Sequence, residues 1–514
     1  MRRRLGSAAW FKTLGVAVAA TVVLAGCTQA GDLAERSGPS GGTDAPQASS
    51  APEPDLQKFY GQELSWEDCG EAQCAGVEVP IDYAKPDGET LELRIRKQPA
   101  QGERKGTVFI NPGGPGGSGQ DFVSQFESAA PSGVVDAYDV IGFDPRGVGE
   151  STPLKCLDDE QLDAYVASDP APDTPAEVAD FAAQSKKMGD ACLANSGELA
   201  RHVSTVEVAK DLDVLRALVG DDELTYYGAS YGTSIGATYA ELFPAKVGRM
   251  ILDGAIDPTL DARQTNLGQA KGFQTALSAY IQDCVSGGDC PIGSSEADAT
   301  AKLKAFLAGL DANPLKTGDP DRPLGQTLGF YAVALPLYNQ QSWPVLTQVL
   351  QAAYNGNGAP ALSVADQYLG RTADGYKDNS AQVITAVNCL DDPETITAAQ
   401  TEASIPQYLA DSPVFGEIFA WSPYGCATWP IKPTAAPLTI DGDGAAPIVV
   451  VGTTRDPATP YEWSQGMAKA LQSGVLVTRD GDGHTAFGVG NECVDSMTEK
   501  YFVDGTVPKD GLQC

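Results

Sequence analysis

A serine flanked by glycines is the feature of this chain with the clearest chemical meaning. Ser230 is the centre of a Gly-x-Ser-x-Gly pentapeptide at residues 228–232, and a short apolar run (224–227) precedes it and small, helix-compatible residues (233–242) follow it. A sharp turn from a strand into a helix leaves no room for side chains beside the serine, which requires glycine at the flanking positions. Glycine supplies 56 of 514 residues, so a match without this context would be weak evidence. In this context it predicts an exposed nucleophile at the carboxyl edge of a sheet.

A base must accept the serine proton, and an acid must orient the base. The chain has only two histidines, which makes the search short. Strand–serine–helix turns of this kind occur in α/β-hydrolases, in which the order along the chain is serine, acid, histidine. Only His484, in the glycine-rich loop 480–487, follows Ser230. His202 precedes the nucleophile, so we predict a structural role for it.

The acid is expected in a loop after a strand between the serine and the histidine. Asp456 follows the apolar run 447–452, and Pro457 and Thr459 would stiffen its loop. Asp253 closes an earlier apolar run and is the alternative, since some hydrolases place the acid one strand earlier. Asp456 is the preferred prediction.

Two backbone N–H groups are needed to stabilise the negative charge that develops on the substrate oxygen. One is expected from Tyr231, the residue after the nucleophile. The other is expected from Gly114, in the glycine-rich loop 111–119 that follows an earlier apolar run. This loop lacks the lysine and the spacing of phosphate-binding and dinucleotide-binding loops.

The elements around these residues alternate between β-type and helical runs. Apolar runs at 107–110, 138–144, 247–252 and 474–478 are separated by helical patterns such as 205–219, which favours an α/β fold with a mostly parallel sheet and helices on both faces. The alternation stops between 258 and 429. This interval is predicted as a largely helical cap insertion, with helices near 265–284, 298–310 and 343–354. The hydrolase core is therefore predicted in two parts, 58–257 and 430–514.

The N-terminus has the pattern of a targeting segment. Three arginines at 2–4 precede an apolar stretch (14–25), which is too short for a comfortable membrane span. The stretch ends in Leu-Ala-Gly-Cys, which resembles a bacterial lipobox. We predict a signal peptide (1–26), lipidation of Cys27 and a flexible linker rich in small residues (27–57), which together would anchor the protein on the outer face of the membrane. An ordinary signal peptide with an accidental cysteine and release into the medium are the alternatives.

Cysteine usage and charge agree with export. Ten cysteines remain after Cys27, and an even number in an oxidising compartment suggests disulfides between sequence neighbours. A zinc site is disfavoured, because there is no Cys-x-x-Cys pair and histidine is scarce. The net charge is −33, and loss of the four basic residues among the first 26 would leave −37. This charge argues against a nucleic acid partner. The suggested pairs are 69–74, 156–192, 284–290, 389–426 and 493–514.

Several motifs together resemble one family, the secreted tripeptidyl aminopeptidases of actinobacteria, which are α/β-hydrolases related to prolyl iminopeptidase. The matching segments are 111–119, 227–236, 247–254, 452–460 and 483–484. The resemblance implies a cofactor-free serine exopeptidase that removes short peptides from free N-termini, with Ser230 as nucleophile, Asp456 as acid and His484 as base. The glycine-rich loop follows Asn111 rather than histidine, so the proline preference of the iminopeptidases is not transferred.

An aminopeptidase must also bind the ammonium group of its substrate, which requires carboxylates in a partly desolvated site. Asp391, Asp392 and Glu394 in the insertion are the predicted candidates, although solvated acids in an acidic protein explain them equally well. Two other functions stay open. One is a cell-surface carboxylesterase or acyltransferase that acts on envelope lipids. The other is a binding protein that has the hydrolase fold and an inactive site.

Overall fold

The computed structural model describes residues 54–288, 290–393, 395–434 and 438–514. The predictions for residues 1–53, including the signal peptide and Cys27, lie outside the described residues, as does Glu394. Of the helices that the structure describes, none is long and apolar enough to cross a membrane.

One mixed sheet forms the centre of the fold. Its strand order is β1-β2-β3-β5-β4-β6-β7-β10-β11-β12, and β8 and β9 form a separate hairpin. All pairs from β5 to β12 are parallel, whereas β1, β2 and β3 join the edge in antiparallel fashion. The strands are β1 (Glu67–Cys69), β2 (Ala72–Pro80), β3 (Thr90–Gln98), β4 (Gly106–Asn111), β5 (Tyr138–Phe143), β6 (Leu224–Ala229), β7 (Val247–Asp253), β8 (Arg371–Thr372), β9 (Gly375–Tyr376), β10 (Ile448–Arg455), β11 (Gly474–Asp482) and β12 (Leu512–Gln513).

Helices cover the sheet and build the insertion. They are α1 (Gln57–Tyr60), α2 (Gly119–Ala129), α3 (Ser132–Ala137), α4 (Asp159–Val166), α5 (Pro175–Ser196), α6 (Thr205–Leu218), α7 (Tyr231–Leu242), α8 (Ala262–Ser286), α9 (Glu296–Ala312), α10 (Gln326–Leu337), α11 (Trp343–Tyr354), α12 (Ala359–Leu369), α13 (Ser380–Asp391), α14 (Ala398–Asp411), α15 (Gly416–Thr428), α16 (Tyr461–Ala470) and α17 (Glu492–Asp504).

The central strands are largely apolar because both faces are covered. Every residue of β4 is buried. Phe109 packs in one hydrophobic core, and its neighbours Val108 and Ile110 pack in the core on the opposite face. Side chains alternate between the faces of a strand, so a continuous apolar run is the pattern of a sheet between two helical layers. The α/β fold predicted from the sequence is confirmed.

A third hydrophobic core lies in the insertion, and it includes residues from outside 258–429. Leu162 and Val166 of α4 are buried in this core. Asp163 of the same helix forms an ion pair with Arg371. The cap therefore also receives residues from the β5–α6 connection. We therefore propose that the hydrolase core and the cap insertion divide after residue 257, and that α4 also belongs to the cap.

The folded part begins slightly earlier than the predicted boundary at residue 58. Leu56 and Phe59 are buried in the core beside the antiparallel strands. The segment β1–β3 was not predicted, because its alternation of exposed and buried residues spans short stretches with many charged side chains.

All five suggested disulfides are present, which confirms the pairing of each cysteine with its sequence neighbour. The bonds are Cys69–Cys74, Cys156–Cys192, Cys284–Cys290, Cys389–Cys426 and Cys493–Cys514.

Candidate active site

The turn between β6 and α7 has the geometry that the glycine pattern predicts. Ser230 has φ 54° and ψ −123°, a conformation that few non-glycine residues adopt. A Cβ atom on Gly228 would lie 2.4 Å from the carbonyl oxygen of Gly232, and one on Gly232 would lie 2.9 Å from the carbonyl oxygen of Asn111. The N–H of Ser230 donates to the carbonyl oxygen of Asp253 at 2.9 Å. These contacts hold the serine at the carboxyl edge of the sheet.

Ser230 and His484 line the same cavity, which has a volume of about 650 Å³. The sheet edge forms one side of this cavity, and the other side comes from the cap and from α4, α5 and their connecting loop. Aromatic side chains supply much of the lining: Tyr165, Phe181, Phe330, Tyr331, Tyr338, Tyr368 and Phe419. The volume lies in the range of pockets that bind small molecules and short peptides.

His484 and Asp456 form a tight pair beneath this cavity. The two carboxylate oxygens of Asp456 lie 2.8 and 2.9 Å from Nδ1 of His484. Asp456 is buried and also accepts hydrogen bonds from the N–H groups of Ala458, Thr459 and Thr485. Burial alone would lower the pKa of His484, but the charge and hydrogen bond of Asp456 raise this pKa above its ordinary value.

The other nitrogen of the imidazole is available for chemistry. His484 Nε2 is buried and has no hydrogen-bond partner within the described ranges, although the ring lines the cavity together with Ser230. Tyr338 of the cap holds the histidine in place. Its carbonyl oxygen accepts the N–H of His484 at 2.8 Å, and its ring packs edge-on against the imidazole, with 5.3 Å between the centroids. No sequence pattern pointed to Tyr338.

Asp253, the alternative acid, has different partners. Its carboxylate accepts hydrogen bonds from the N–H groups of Ala486 and Phe487 and from the hydroxyl of Tyr227. It therefore fixes the backbone that follows the histidine, whereas Asp456 contacts the imidazole directly.

The glycine-rich loop lies against the nucleophile turn. A Cβ atom on Gly113 would lie 2.8 Å from Cβ of Ser230 and 3.0 Å from the backbone nitrogen of Tyr231. The N–H of Gly113 is already bound to Oδ1 of Asn111 at 2.9 Å. In the part of the chain that the structure describes, the N–H groups of Gly114 and Tyr231 have no hydrogen-bond acceptor. These are the two N–H groups predicted to stabilise the oxyanion, and this role stays a prediction.

Of the acidic residues predicted to bind an ammonium group, Asp391 does not line the cavity. Asp391 instead accepts hydrogen bonds from the N–H and hydroxyl of Thr205, and this hydroxyl lies 2.6 Å from that of Tyr231. Asp392 is also absent from the lining, and Glu394 lies outside the described residues. The lining contains a single carboxylate among described residues, Asp169. No sequence pattern pointed to Asp169, because it lies in a Pro-rich turn without periodic pattern.

His202 is buried away from the cavity, where its carbonyl oxygen accepts a hydrogen bond from Arg146. Ligand atoms of Asp82, His202 and Glu207 lie within 4.8 Å of one another. However, Lys85 already binds Asp82 at 2.9 Å, and Arg146 lies 3.5 Å from Glu207. Because these carboxylates have cationic partners, we assign no metal ion to them.

Known proteins resemble this chain over most of its length. Residues 412–514 match a family model described as TAP-like protein. Serine protease Hip1 of Mycobacterium tuberculosis is 37% identical over 476 residues, which cover 88% of this chain and 91% of that protein. Carboxylesterase B of the same species is 37% identical over 492 residues, covering 92% and 94%. Tripeptidyl aminopeptidase of Streptomyces lividans is 33% identical over 479 residues, covering 88% and 86%.

Solved structures also match this chain, including the following two. Proline iminopeptidase of Mycobacterium smegmatis has 14% identity and a TM-score of 0.35, with coverage of 84% of this chain and 98% of that chain. An epoxide hydrolase from an endophytic Streptomyces has 14% identity and a TM-score of 0.37, with coverage of 87% and 100%. The sequence relatives identify this chain as a serine hydrolase that belongs to the tripeptidyl aminopeptidase family of α/β-hydrolases.

Proposed function

We propose that this protein is a serine exopeptidase that releases short peptides, chiefly tripeptides, from the free N-termini of peptides and proteins. One observation carries the proposal. Asp456 binds Nδ1 of His484, while the unpaired Nε2 lies beside a cavity that Ser230 lines and that the cap covers. The similarity to a tripeptidyl aminopeptidase and to a serine protease supports a peptide as the substrate.

Acylation would begin with attack of Ser230 Oγ on the scissile carbonyl carbon, as Nε2 of His484 accepts the hydroxyl proton. Asp456 orients the imidazole and stabilises its protonated form. The N–H groups of Gly114 and Tyr231 bind the oxyanion, and each such donor contributes roughly 10²–10³ in rate. When the C–N bond breaks, His484 returns the proton to the leaving amine, and an acyl-enzyme on Ser230 remains.

Deacylation would use the same groups with water as the nucleophile. His484 takes a proton from water, and the resulting hydroxide attacks the acyl carbon. The bond to Ser230 then breaks, the peptide leaves with a new carboxylate, and the proton returns to the serine oxygen.

The site would work outside the cell. We propose that lipidated Cys27 anchors the chain to the outer face of the membrane through a linker that ends before the buried residue Leu56. The five disulfides support an oxidising location.

Mass-spectrometric sequencing of the products from a peptide library tests the proposal, because it reports the bond cleaved and the length released. We expect N-terminal tripeptides as the main products. Ser230→Ala should lose both this activity and labelling by a fluorophosphonate probe. Persistent labelling of the folded variant would contradict the assignment of the nucleophile.

A carboxylesterase is the second candidate, because carboxylesterase B is as similar to this chain as the serine protease is. The aromatic lining of the cavity would also accept an acyl chain. Turnover of acyl esters should be compared with turnover of tripeptide anilides. Strong ester turnover without peptide cleavage would favour the esterase.

A further inference from the structure

One acidic side chain remains without a role in the chemistry described above. Asp169 lies in the loop between α4 and α5, and it is the only carboxylate among the described residues that line the active-site cavity. It is half-buried, and it forms no ion pair with a cationic side chain of the described residues. Partly desolvated carboxylates are usually paired, so an unpaired one facing a substrate cavity points to a cationic ligand.

The loop holds this carboxylate in a fixed position. Oδ1 of Asp169 accepts the N–H of Ala171 at 2.9 Å, and Ala171 is buried. The carbonyl oxygen of Ser168 accepts the hydroxyl of Thr327, on cap helix α10, at 2.5 Å. Asp169 is therefore attached to the cap side of the cavity, whereas Ser230 belongs to the sheet side. Its Oδ2 has no donor from the described residues and is free to bind a ligand.

The local electrostatics favour a cation. Burial raises the pKa of Asp169 to about 6, although the hydrogen bond from Ala171 opposes this change. Nearby carboxylates add to the increase, since they disfavour a further negative charge. A bound ammonium group would offset both the loss of solvation and the repulsion from these carboxylates. The carboxylates are those of Asp311, Glu177 and Asp173.

We propose that Asp169 binds the α-ammonium group of the substrate and so restricts cleavage to peptides with a free N-terminus. This inference rests on the proposed peptidase function and names the residue that sets its exopeptidase specificity. An extended tripeptide spans at most about 10 Å. A fixed anchor on the cap side would then determine how many residues lie between the N-terminus and Ser230.

The test compares Asp169→Asn, which keeps the size of the side chain, with the full-length wild-type enzyme on three substrates. These are a tripeptide anilide with a free N-terminus, its N-acetylated form and a short acyl ester. We expect kcat/KM for the free tripeptide to fall about 10- to 100-fold, because a partly buried charge pair is lost. Turnover of the ester and of the acetylated peptide should change less than about twofold, so the preference for the free N-terminus should shrink.

Asp173→Asn is the matched control. This exposed residue lies in the same loop, carries the same charge and does not line the cavity. Because its charge adds to the field at Asp169 without lining the cavity, it should lower the preference by less than about twofold, which separates direct contact from the general field of the loop.

The outcomes distinguish the anchor from the peptidase function. If the wild-type enzyme cleaves the free tripeptide and the Asp169→Asn variant keeps the preference for a free N-terminus, only the proposed role of Asp169 in ammonium binding is overturned. An equal loss on all three substrates would also overturn it, because that pattern indicates damage to the site. A wild-type enzyme that turns over only the ester would overturn the peptidase function, and with it the proposed role of Asp169.

Discussion

The positive φ of Ser230 carries an energetic cost, on the order of 1–3 kcal/mol for a non-glycine residue. Its surroundings support this conformation. Gly228 and Gly232 allow the close approach of the two arms of the turn, and the carbonyl oxygen of Asp253 accepts the N–H of the serine. The cost places the serine at the carboxyl edge of the sheet, in the cavity that His484 also lines.

Removal of the carboxylate charge tests the choice of acid. Asp456→Asn should lower kcat by about 10⁴, because the histidine loses the partner that fixes its tautomer. Asp253→Asn should instead destabilise the fold by about 1–3 kcal/mol, since a carboxylate that accepts buried N–H groups is replaced. Steady-state kinetics and thermal unfolding of both variants measure the difference. An equally inactive Asp253→Asn variant with unchanged unfolding would reverse the assignment.

The raised pKa of His484 predicts the pH dependence. The histidine must be neutral to act as a base, so activity is lost as pH falls through this pKa. Burial lowers the pKa of His484, but the charge and hydrogen bond of Asp456 outweigh this effect, so we expect the acid limb of kcat/KM to lie above the ordinary pKa of a histidine. In Asp456→Asn, the limb of the residual activity should move to lower pH. Profiles recorded with an acyl ester avoid titration of the substrate amine, and an unmoved limb would contradict the role of Asp456.

At the scale of elements, each reactive group follows the carboxyl end of a strand. Ser230 follows β6, Asp456 follows β10 and His484 follows β11, while the glycine-rich loop follows β4. The strand ends of a parallel sheet converge on one edge, which explains how distant segments meet. The predicted strand ends are confirmed, because apolar runs and glycine spacing are local signals, whereas the catalytic roles of the residues that follow them stay predictions.

The cap was less predictable, for a physical reason. Asp391 and Asp392 have the charge that an ammonium site requires, but α13 directs Asp391 toward Thr205 instead of the cavity. Tyr338 and Asp169 reach the site through packing between segments that are far apart in the chain. No local pattern encodes such packing.

The disulfide Cys389–Cys426 joins α13 to α15, and both of its cysteines line the cavity. Replacement of both by serine should raise KM for a tripeptide anilide several-fold, because this wall of the substrate site loses a constraint. KM for a small ester should change less. Replacement of Cys284 and Cys290 is the control, since neither residue lines the cavity. Equal effects of the two double variants would show that only stability is involved.

At the scale of the whole molecule, the cap and the core are connected at several points. Asn379, beside the start of α13, donates to the carbonyl oxygens of Gly147 and Leu154 and accepts the N–H of Gly149. Tyr338 joins α10 to the histidine loop. The cap is therefore part of the site, which fits an enzyme whose specificity depends on the insertion.

The proposed membrane anchor has a direct test. Cys27→Ser should move the activity from the membrane fraction to the soluble fraction and abolish incorporation of labelled fatty acid, because the lipid-accepting thiol is absent. Thr28→Ser, a neighbouring conservative change, should leave both unchanged. Activity that stays with the membrane after Cys27→Ser would require another anchor.

The pairing of the ten cysteines has a consequence for biogenesis. Every bond joins two cysteines that are consecutive in the chain, with separations of 5, 36, 6, 37 and 21 residues. A chain that enters an oxidising compartment N-terminus first exposes each thiol directly before its partner. With the thiol of Cys27 lipidated as proposed, an oxidant that joins the remaining thiols in order of emergence would produce the complete native set, and maturation would need no disulfide isomerase.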